Sequence, residues 1–461
     1  MIQRWILPIL CLVLFAVFVL RALAATILYV DINLAASCVG ATYSVASRNC
    51  SGSDGAGYKT PEEGFRALTV GDTLRIRAGA YTIASTYGNV ATDDFGGGAT
   101  SWAGATVIEN YPGESVTITV PTMNLDESIV ANSKYIIFRG DSRTNLIFQG
   151  ASGSSVGGGS GFRFVNGANH IRLQKLTVRN FGQDGVGGGS GTCPSAKPDA
   201  IELIDVEISN NGDNANLEHG VYFSCSDNLL VENSSILANE AYGLHIYSAT
   251  TGGNTNATLR NNFISGRKTG ATGTAYGIVI ASGSGNKAYN NIIVGQGSYP
   301  VKLTGCVQLW GPSATAPLIY NNTCYDVTAG VEVAEAAVSA AEIKNNIFET
   351  VTTPISDSGT STVKSTNFCD SAGTGCTVTG SPSFTNAVTG DFTLQSGSNC
   401  RDVGLDLSAT LTTDYIGTAR PQNSTFDIGA YEYIVSQGGA SGGMSETPSW
   451  SSPRRHPLWR R

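Results

Sequence analysis

The chain is poor in charge and in helix-forming residues. Only 14% of its 461 residues are charged, and Leu, Glu and Lys are too sparse for long helices, which argues against a helical bundle. A net charge of -8 gives the molecule no overall electrostatic attraction to nucleic acid or to an acidic membrane surface. The 56 Gly, with Asn, Ser and Thr between short apolar runs, indicate a turn-rich β protein.

The ten Cys lack the spacing of a zinc site, and no His ligands lie near them. Cys11 falls within an N-terminal leader, which leaves nine Cys in the rest of the chain. In an oxidising compartment their spacing predicts four disulfides and one thiol left over. The predicted pairs, beginning with the two most closely spaced, are Cys38–Cys50, Cys369–Cys376, Cys193–Cys225 and Cys306–Cys324.

Residues 1–24 have the pattern of a secretory signal. Arg4 precedes an apolar run from about Ile6 to Leu20, and small residues around Ala24 predict cleavage at that point. An uncleaved membrane anchor is the alternative, although the run is slightly short for a span. We therefore expect an exported mature chain, secreted or at the cell surface, with no stable membrane span.

A repeated Asn pair sets the predicted fold. Four copies begin at Asn261, Asn290, Asn321 and Asn345, so the steps are 29, 31 and 24 residues. Earlier, the apolar residues from Ile171 to Val178 recur thirty positions later. Short β runs with such a period suit a parallel β-helix, in which each coil buries its apolar face against the next. We expect the Asn pairs to hydrogen-bond at the turns.

A second column of short strands lies beside the first, and each strand is entered by Gly or Pro. The segments begin at Gly220, Gly243, Gly277, Pro300 and Gly330. Alternation along each strand places its flanking apolar residues on one face and its middle residue on the other. The middle residues, which we predict to face solvent, are Tyr222, His245, Val279, Lys302 and Glu332.

The predicted organisation is one elongated all-β domain. Thr60 as N-cap, Pro61 at the first helical position and Glu63 in a capping box predict a short helix through Phe65 and Leu68, which would cover the end of the solenoid. The predicted divisions are a signal (1–24), an N-terminal cap and first coil (25–90), a parallel β-helix (91–400), a closing segment (401–434) and a disordered Gly/Ser/Pro-rich basic tail (435–461).

Two segments carry a family resemblance that covers roughly residues 27 to 434. The stretch from Tyr29 to Tyr81 resembles the N-terminal part of exported right-handed parallel β-helix proteins with the pectate-lyase type of fold. The segments 413–417, 419–421 and 427–432 resemble the closing segment of choice-of-anchor Q domain proteins. The resemblance implies a single-stranded right-handed parallel β-helix and export. In the closing segment, we expect Arg420 to pair with Asp414 or Asp427 and seal the last coil.

Enzymes with this fold usually act on polysaccharides, but the residue sets of polygalacturonases and of the best-known pectate lyases are missing here. The best candidate is the pair Tyr222 and His245, which stacking of Gly220 on Gly243 would place about 5 Å apart. A neutral His removes a proton and a Tyr returns one in β-elimination or epimerisation of a uronate. His219 is the third candidate catalytic residue.

The same alignment predicts an aromatic ladder that would stack on sugar rings or stabilise the solenoid. Its members are His219, Tyr242, Tyr276 and Tyr299. A uronate also requires a cation to neutralise its carboxylate. The candidate substrate-binding residues are Tyr242, Tyr247, Lys302, Lys197 and Glu218, and Asp199 or Asp213 would hold Ca²⁺, the candidate cofactor.

Two functions therefore remain open. The first is an exported lyase or epimerase on an acidic glycan. The second is a non-catalytic surface or matrix protein that binds a glycan or another partner along its flank. The absence of the known enzymes' residue sets and the low charge favour this second function. In both cases we expect a monomer with a polysaccharide partner and no nucleic acid.

Overall fold

A computed structural model describes most of the chain between residues 25 and 434. The exceptions are residues 84–98, 122, 127–133, 151–158, 166, 190–192, 194–196, 214–216 and 249–252. The predicted signal and the predicted tail lie outside the described residues. Within them, no helix combines the length and the apolar character needed to cross a membrane.

The coils form three parallel ladders, and 34 strands of the described residues join in one sheet. The first ladder contains Ile27–Val30, Thr73–Ile76, Thr106–Asn110, Lys134–Arg139, Asn169–Gln174, Asp199–Ile204, Leu230–Glu232, Thr258–Arg260, Lys287–Tyr289, Leu318–Tyr320, Glu342–Lys344 and Val363–Ser365, and the strands Ala56–Tyr58, Ser226–Asp227 and Asn254–Thr255 pair alongside it. The second ladder contains Gly79–Thr82, Val116–Thr119, Leu146–Gln149, Thr177–Arg179, Glu207–Ser209, Ser235–Asn239, Phe263–Arg267, Ile292–Val294, Thr323–Val333, Ile347–Asp357, Asn367–Cys369 and Cys376–Val378.

The third ladder is the second column of the sequence prediction. It contains Met123–Asp126, Phe162–Val165, Val186–Gly188, Val221–Phe223, Leu244–Ile246, Tyr276–Ser284 and Gly305–Thr315, and it continues into the later parts of Thr323–Val333 and Ile347–Asp357. An antiparallel hairpin, Phe384–Asn386 with Asp391–Leu394, follows the last coil. The described residues also form two 3₁₀ turns, Trp102–Gly104 and Ala387–Thr389. The all-β parallel helix predicted from the repeat is confirmed.

Alternation along the strands builds the core inside the coils. The predicted thirty-residue register is confirmed, because Ile171 pairs with Ile201 and Leu173 with Leu203, and all four are fully or almost fully buried. Part of the core is aromatic, with Phe148 and Phe162 in edge contact at 4.9 Å between ring centroids. Such stacking buries apolar area coil against coil, so the solenoid grows along its axis without a larger globular core.

The Asn pairs turn the chain from the first ladder into the second. The first Asn of each pair has a left-handed backbone, as at Asn261 with φ of 55°, a conformation that Asn tolerates better than most residues. The second Asn of each pair is buried and bonds to its equivalent in the next coil. The amide Nδ2 to Oδ1 distances are 3.0 Å for Asn262 to Asn291, 2.9 Å for Asn291 to Asn322 and 3.0 Å for Asn322 to Asn346. The expected hydrogen bonding at the turns is confirmed.

The N-terminal end is covered by the helix Pro61–Ala67, as predicted. Thr60 Oγ1 accepts from the Glu63 backbone N–H, and the Glu63 carboxylate accepts from the Thr60 backbone N–H, so the capping box is complete. Phe65 is 1% exposed and packs into the core of the first coils. All four predicted disulfides are present. Among the cysteines that the structure describes, Cys400 is the free thiol, and it is buried beneath the closing segment.

The closing segment is held by Arg420, but the predicted ion-pair partner was wrong. Arg420 Nη1 donates to Glu432 Oε1 at 2.5 Å, and both side chains are buried. Asp414 and Asp427 instead accept backbone N–H groups, so their carboxylates order the loop around the arginine. Arg420 Nη2 also donates to Asn290 Oδ1 at 3.1 Å, which ties this segment to the Asn ladder.

Candidate functional site

Two vertical rows of side chains on the third ladder define the candidate site. The outer row follows the middle residue of each strand and consists of Arg163, Gly187, Tyr222, His245, Val279, Gln308 and Glu332. The corner row lies three residues before the outer row in the same coil, and each of its members directly precedes a Gly. It consists of Asp184, His219, Tyr242 and Tyr276. Because the rungs are in register, residues far apart in sequence become neighbours.

Tyr222 and His245 are neighbours, as predicted, but they do not face open solvent. They pair across adjacent strands, and their ring centroids are 5.1 Å apart. His245 is only 6% exposed and Val279 is fully buried, so the prediction of a solvent-facing row was wrong at these positions. Alternation fixes which face a residue is on, whereas the cover over that face comes from rings on other coils.

The cover is an aromatic cluster centred on His245, here called the His–Tyr cluster. Its members are His219, Tyr222, Tyr242, His245, Tyr247 and Trp310. The four Tyr and Trp side chains are half-buried, whereas His219 and His245 are buried. The cluster therefore presents aromatic rings outward and keeps its two imidazoles underneath them.

The two imidazoles are hydrogen-bonded to each other in one fixed direction. The backbone N–H of Tyr242 donates to His219 Nδ1 at 3.2 Å, and His219 Nε2 lies 3.0 Å from His245 Nδ1. A neutral His219 that accepts at Nδ1 carries its proton on Nε2 and donates it to His245 Nδ1. The proton of neutral His245 is then on Nε2. Within the described part of the chain, that nitrogen is buried and has no hydrogen-bond partner.

Burial keeps both imidazoles neutral. It lowers the pKa of His219 to about 3. Burial, and secondarily the neighbouring His219, holds the pKa of His245 well below its ordinary value. A neutral His245 that already carries a proton on its free nitrogen is a hydrogen-bond donor. The geometry therefore favours a donor role for His245 over the base role expected from the sequence.

Asp184 is a titratable residue that the sequence reasoning missed. Its Oδ1 accepts from the His219 backbone N–H at 2.7 Å, and burial raises the pKa of its carboxyl to about 8. Its Oδ2 lies 3.6 Å from where a Cβ on Gly187 would stand, so the carboxyl reaches the outer row next to Tyr222. The sequence could have revealed this residue, because Asp184 directly precedes Gly185 as His219 directly precedes Gly220.

Trp310 was also missed, because it depends on an irregularity in the third ladder. Ile280 pairs with Leu309 and Ser282 with Ser313, so two extra residues bulge out of the later strand. Bulges re-aim side chains. Trp310 leans over the small Ala281 and stacks on Tyr247, with ring centroids 5.4 Å apart.

Three of the other predicted site residues lie outside the cluster. Lys302 is not in the outer row, because the strand of that coil begins at Gly305 rather than at Pro300. Gln308 occupies the outer-row position instead. Lys302 forms an ion pair with Asp326 at 2.6 Å. Lys197 pairs with Asp227 at 3.3 Å beside the first ladder. Burial, followed by the charges of neighbouring carboxylates, raises the pKa of Glu218.

The predicted aromatic ladder is correct for three of its four members. His219 stacks on Tyr242 at 5.0 Å, and Tyr276 follows in the next coil. Tyr299 was wrong, because the chain makes an extra turn before entering the third ladder and Tyr299 packs against Gly266 instead. No group of three or more His, Cys, Asp or Glu among the described residues is arranged to hold a metal ion, so Asp199 and Asp213 gain no support as Ca²⁺ ligands.

Comparison with known proteins agrees with the geometry. The family model described as "Right handed beta helix region" matches residues 136–305 and 195–392, which together span more than half of the chain. The chain is thus a parallel β-helix protein, and it belongs to this right-handed β-helix family. No curated protein matches it significantly.

A solved structure of a pectate lyase shows the same fold at low sequence identity. The crystal structure of pectate lyase Pel9A is 14% identical and aligns over 90% of this chain and 98% of its own, with a TM-score of 0.53. An alginate lyase from Paenibacillus sp. str. FPU-7 is 14% identical over 66% of this chain and 93% of its own, with a TM-score of 0.38. The likeness to the pectate lyase is one of fold.

Proposed function

We propose that this chain is an exported, monomeric protein that acts on an acidic polysaccharide, as a lyase or epimerase at a uronate residue. The observation that carries the proposal is the meeting of a phenol, two neutral imidazoles and a buried carboxyl on adjacent coils at the His–Tyr cluster. The four disulfides indicate an oxidising compartment. The predicted signal supports a secreted or cell-surface location, and membership of the choice-of-anchor Q group is part of the proposal.

In the proposed β-elimination, the Asp184 carboxylate takes the proton from the carbon next to the uronate carboxyl. The electron pair of that C–H bond forms the new C=C bond. The glycosidic oxygen leaves with its bonding pair and takes the proton of Tyr222. Burial raises the pKa of Tyr222 to about 12, so its hydroxyl is protonated at neutral pH and able to donate. Epimerisation would use the same proton removal, followed by proton return to the opposite face.

His245 has a supporting role in this scheme. Removal of the proton places negative charge on the uronate carboxyl, and the Nε2–H of a neutral imidazole stabilises such charge by donating a hydrogen bond. The half-buried rings of Tyr222, Tyr242, Tyr247 and Trp310 would stack on sugar faces.

The test is incubation of the mature chain with a panel of uronate polymers, with and without Ca²⁺. A lyase produces an unsaturated product that absorbs in the ultraviolet, and proton NMR detects epimerisation. We expect Tyr222→Phe to slow the reaction about 100-fold or more. Tyr325→Phe, at a half-buried position outside the cluster, should leave the rate unchanged. The proposal fails if every polymer is unchanged in both assays.

Non-catalytic glycan binding is the second candidate, and one observation favours it. Asp184 and His245 are 9% and 6% exposed, whereas the aromatic rings above them reach the surface. A platform of that kind binds sugars without needing the buried groups. A glycan array that shows binding, together with unchanged polymers in the turnover assays, would select this function.

A further inference from the structure

We propose that the N–H groups of His245 and Trp310 form a two-donor pocket for the carboxylate of a uronate. This inference rests on the proposed function, and it names the part of the substrate that the cluster recognises. Nε2 of His245 and Nε1 of Trp310 are both buried, and neither has a hydrogen-bond partner in the described part of the chain. A buried N–H without an acceptor is unfavourable, so two in one cluster indicate an acceptor that the protein itself does not supply.

The direction of the His219–His245 hydrogen bond makes His245 a donor rather than an acceptor. The backbone N–H of Tyr242 is always a donor, and its bond to His219 Nδ1 prevents the reverse arrangement of protons. Reversal would require His219 to carry a proton on Nδ1, where it would face the Tyr242 N–H. The hydrogen bonds from the Tyr242 backbone to His219 and from His219 to His245 therefore place the proton of His245 on Nε2, the nitrogen without a partner in the described part of the chain.

The bulge in the third ladder supplies the second donor. Gly311 has φ of 90°, a backbone conformation that glycine adopts readily, and it allows the strand to carry Trp310 across Ala281. The ring of Trp310 then lies nearly parallel to that of His245, with 6.5 Å between centroids and 29° between planes. An indole nitrogen is a donor only.

The chemistry of the pocket fits a carboxylate better than a sugar hydroxyl. A hydroxyl both donates and accepts, whereas this pocket presents two donors and a carboxylate has two acceptor oxygens. A carboxylate accepts N–H groups at about 2.7–2.9 Å. Each N–H points along the plane of its ring, so the carboxylate would meet the edges of the two rings, whose centroids are 6.5 Å apart. Glu332 of the outer row does not compete for the donors, because Tyr276 and Gln308 already bond to it.

The experiment measures binding of a trigalacturonate, its neutral trigalactose counterpart and acetate by calorimetry and NMR. Trp310→Phe keeps an aromatic ring but removes the N–H together with part of the ring surface, so the neutral trigalactose reports the loss of stacking and the difference between the two sugars reports the N–H. We expect the substitution to weaken trigalacturonate binding about 10- to 100-fold, the range for one hydrogen bond to a charged group, and to change trigalactose binding less than threefold. Trp102→Phe, which changes the tryptophan that packs on Tyr135 instead, is the matched control and should change neither.

Nitrogen-15 NMR supplies a readout that does not depend on turnover. We expect the His245 proton on Nε2, and a downfield shift of the Trp310 indole N–H when acetate or trigalacturonate is added. A proton on Nδ1 of His245, or an indole signal that neither compound moves, would overturn the pocket. An indole that responds to acetate in a protein that leaves every uronate polymer unchanged would uphold the pocket and reject the proposed lyase or epimerase.

Discussion

Replacing Asn322 with Ala tests whether the Asn ladder holds the coils in register. Asn322 is 1% exposed, and its Oδ1 accepts from the backbone N–H and Nδ2 of Asn291 at 3.0 and 2.9 Å. Its Nδ2 donates to the Ala288 carbonyl and to Asn346 Oδ1, both at 3.0 Å. The change removes four buried hydrogen bonds and leaves a small cavity. Asn291 Nδ2 keeps its bond to the Leu259 carbonyl, and Asn346 Oδ1 keeps the Asn322 backbone N–H. The Asn291 N–H and the Ala288 carbonyl lose this partner, and at ~1–3 kcal/mol for each we expect a total loss of about 2–6 kcal/mol.

The assay is equilibrium unfolding in guanidinium chloride with the disulfides intact. Asn261→Ala is the control, because Asn261 supplies the left-handed backbone of its turn and its Oδ1 has no partner within the described part of the chain. Its expected cost is about 1–2 kcal/mol, from strain alone. If the Asn322 variant were no less stable than the Asn261 variant, the stacked amides would not be what fixes the register.

The site and the closing segment give three more predictions. Burial lowers the pKa of both His219 and His245. Above the unfolded-state pKa near 6.5 their contribution to the free energy of unfolding is intact. Below it, that free energy decreases by about 1.4 kcal/mol per pH unit for each imidazole, because only the unfolded chain takes up the proton. A His219→Gln/His245→Gln variant should lose this pH dependence in urea melts at pH 4.5–7. Burial raises the pKa of Asp184, so stability is lost as pH rises from about 4 to 8, and Asp184→Asn should be several kcal/mol more stable than wild type at pH 8.5. Arg420→Met leaves the buried Glu432 carboxylate without its cation and should cost about 3–5 kcal/mol in chemical unfolding; adding Glu432→Gln should recover part of the loss.

The repeat pattern was sufficient to predict the fold. Asn pairs and Gly-led strands recur because every coil makes the same turn and packs against the same neighbours, so spacing alone aligned Tyr222 with His245. Local capping chemistry likewise placed the helix at Pro61. The predicted pairs of Cys were correct because stacked coils bring cysteines of the same or the next coil together.

The candidate site was predicted less completely, because it depends on departures from the repeat. An extra turn before Gly305 moved Lys302 and Tyr299 out of the rows in which simple counting had placed them. A bulge brought Trp310 over His245, and no periodicity reveals a bulge. Burial of His245 follows from these rings, so its neutral state and its donor role became visible only in three dimensions.

The most direct test of the proposed activity is the rate of unsaturated-product formation from a uronate polymer between pH 6 and 9, for wild type and Asp184→Asn. Because the reaction needs the ionised Asp184 carboxylate and burial raises its pKa to about 8, we expect the wild-type rate to rise with pH and level off above about 8. The Asn variant, which keeps the acceptor for the His219 N–H, should remain folded and inactive. An Asn variant as active as wild type would contradict the proposed role of Asp184, and a folded wild-type protein with no product at any pH would contradict the lyase.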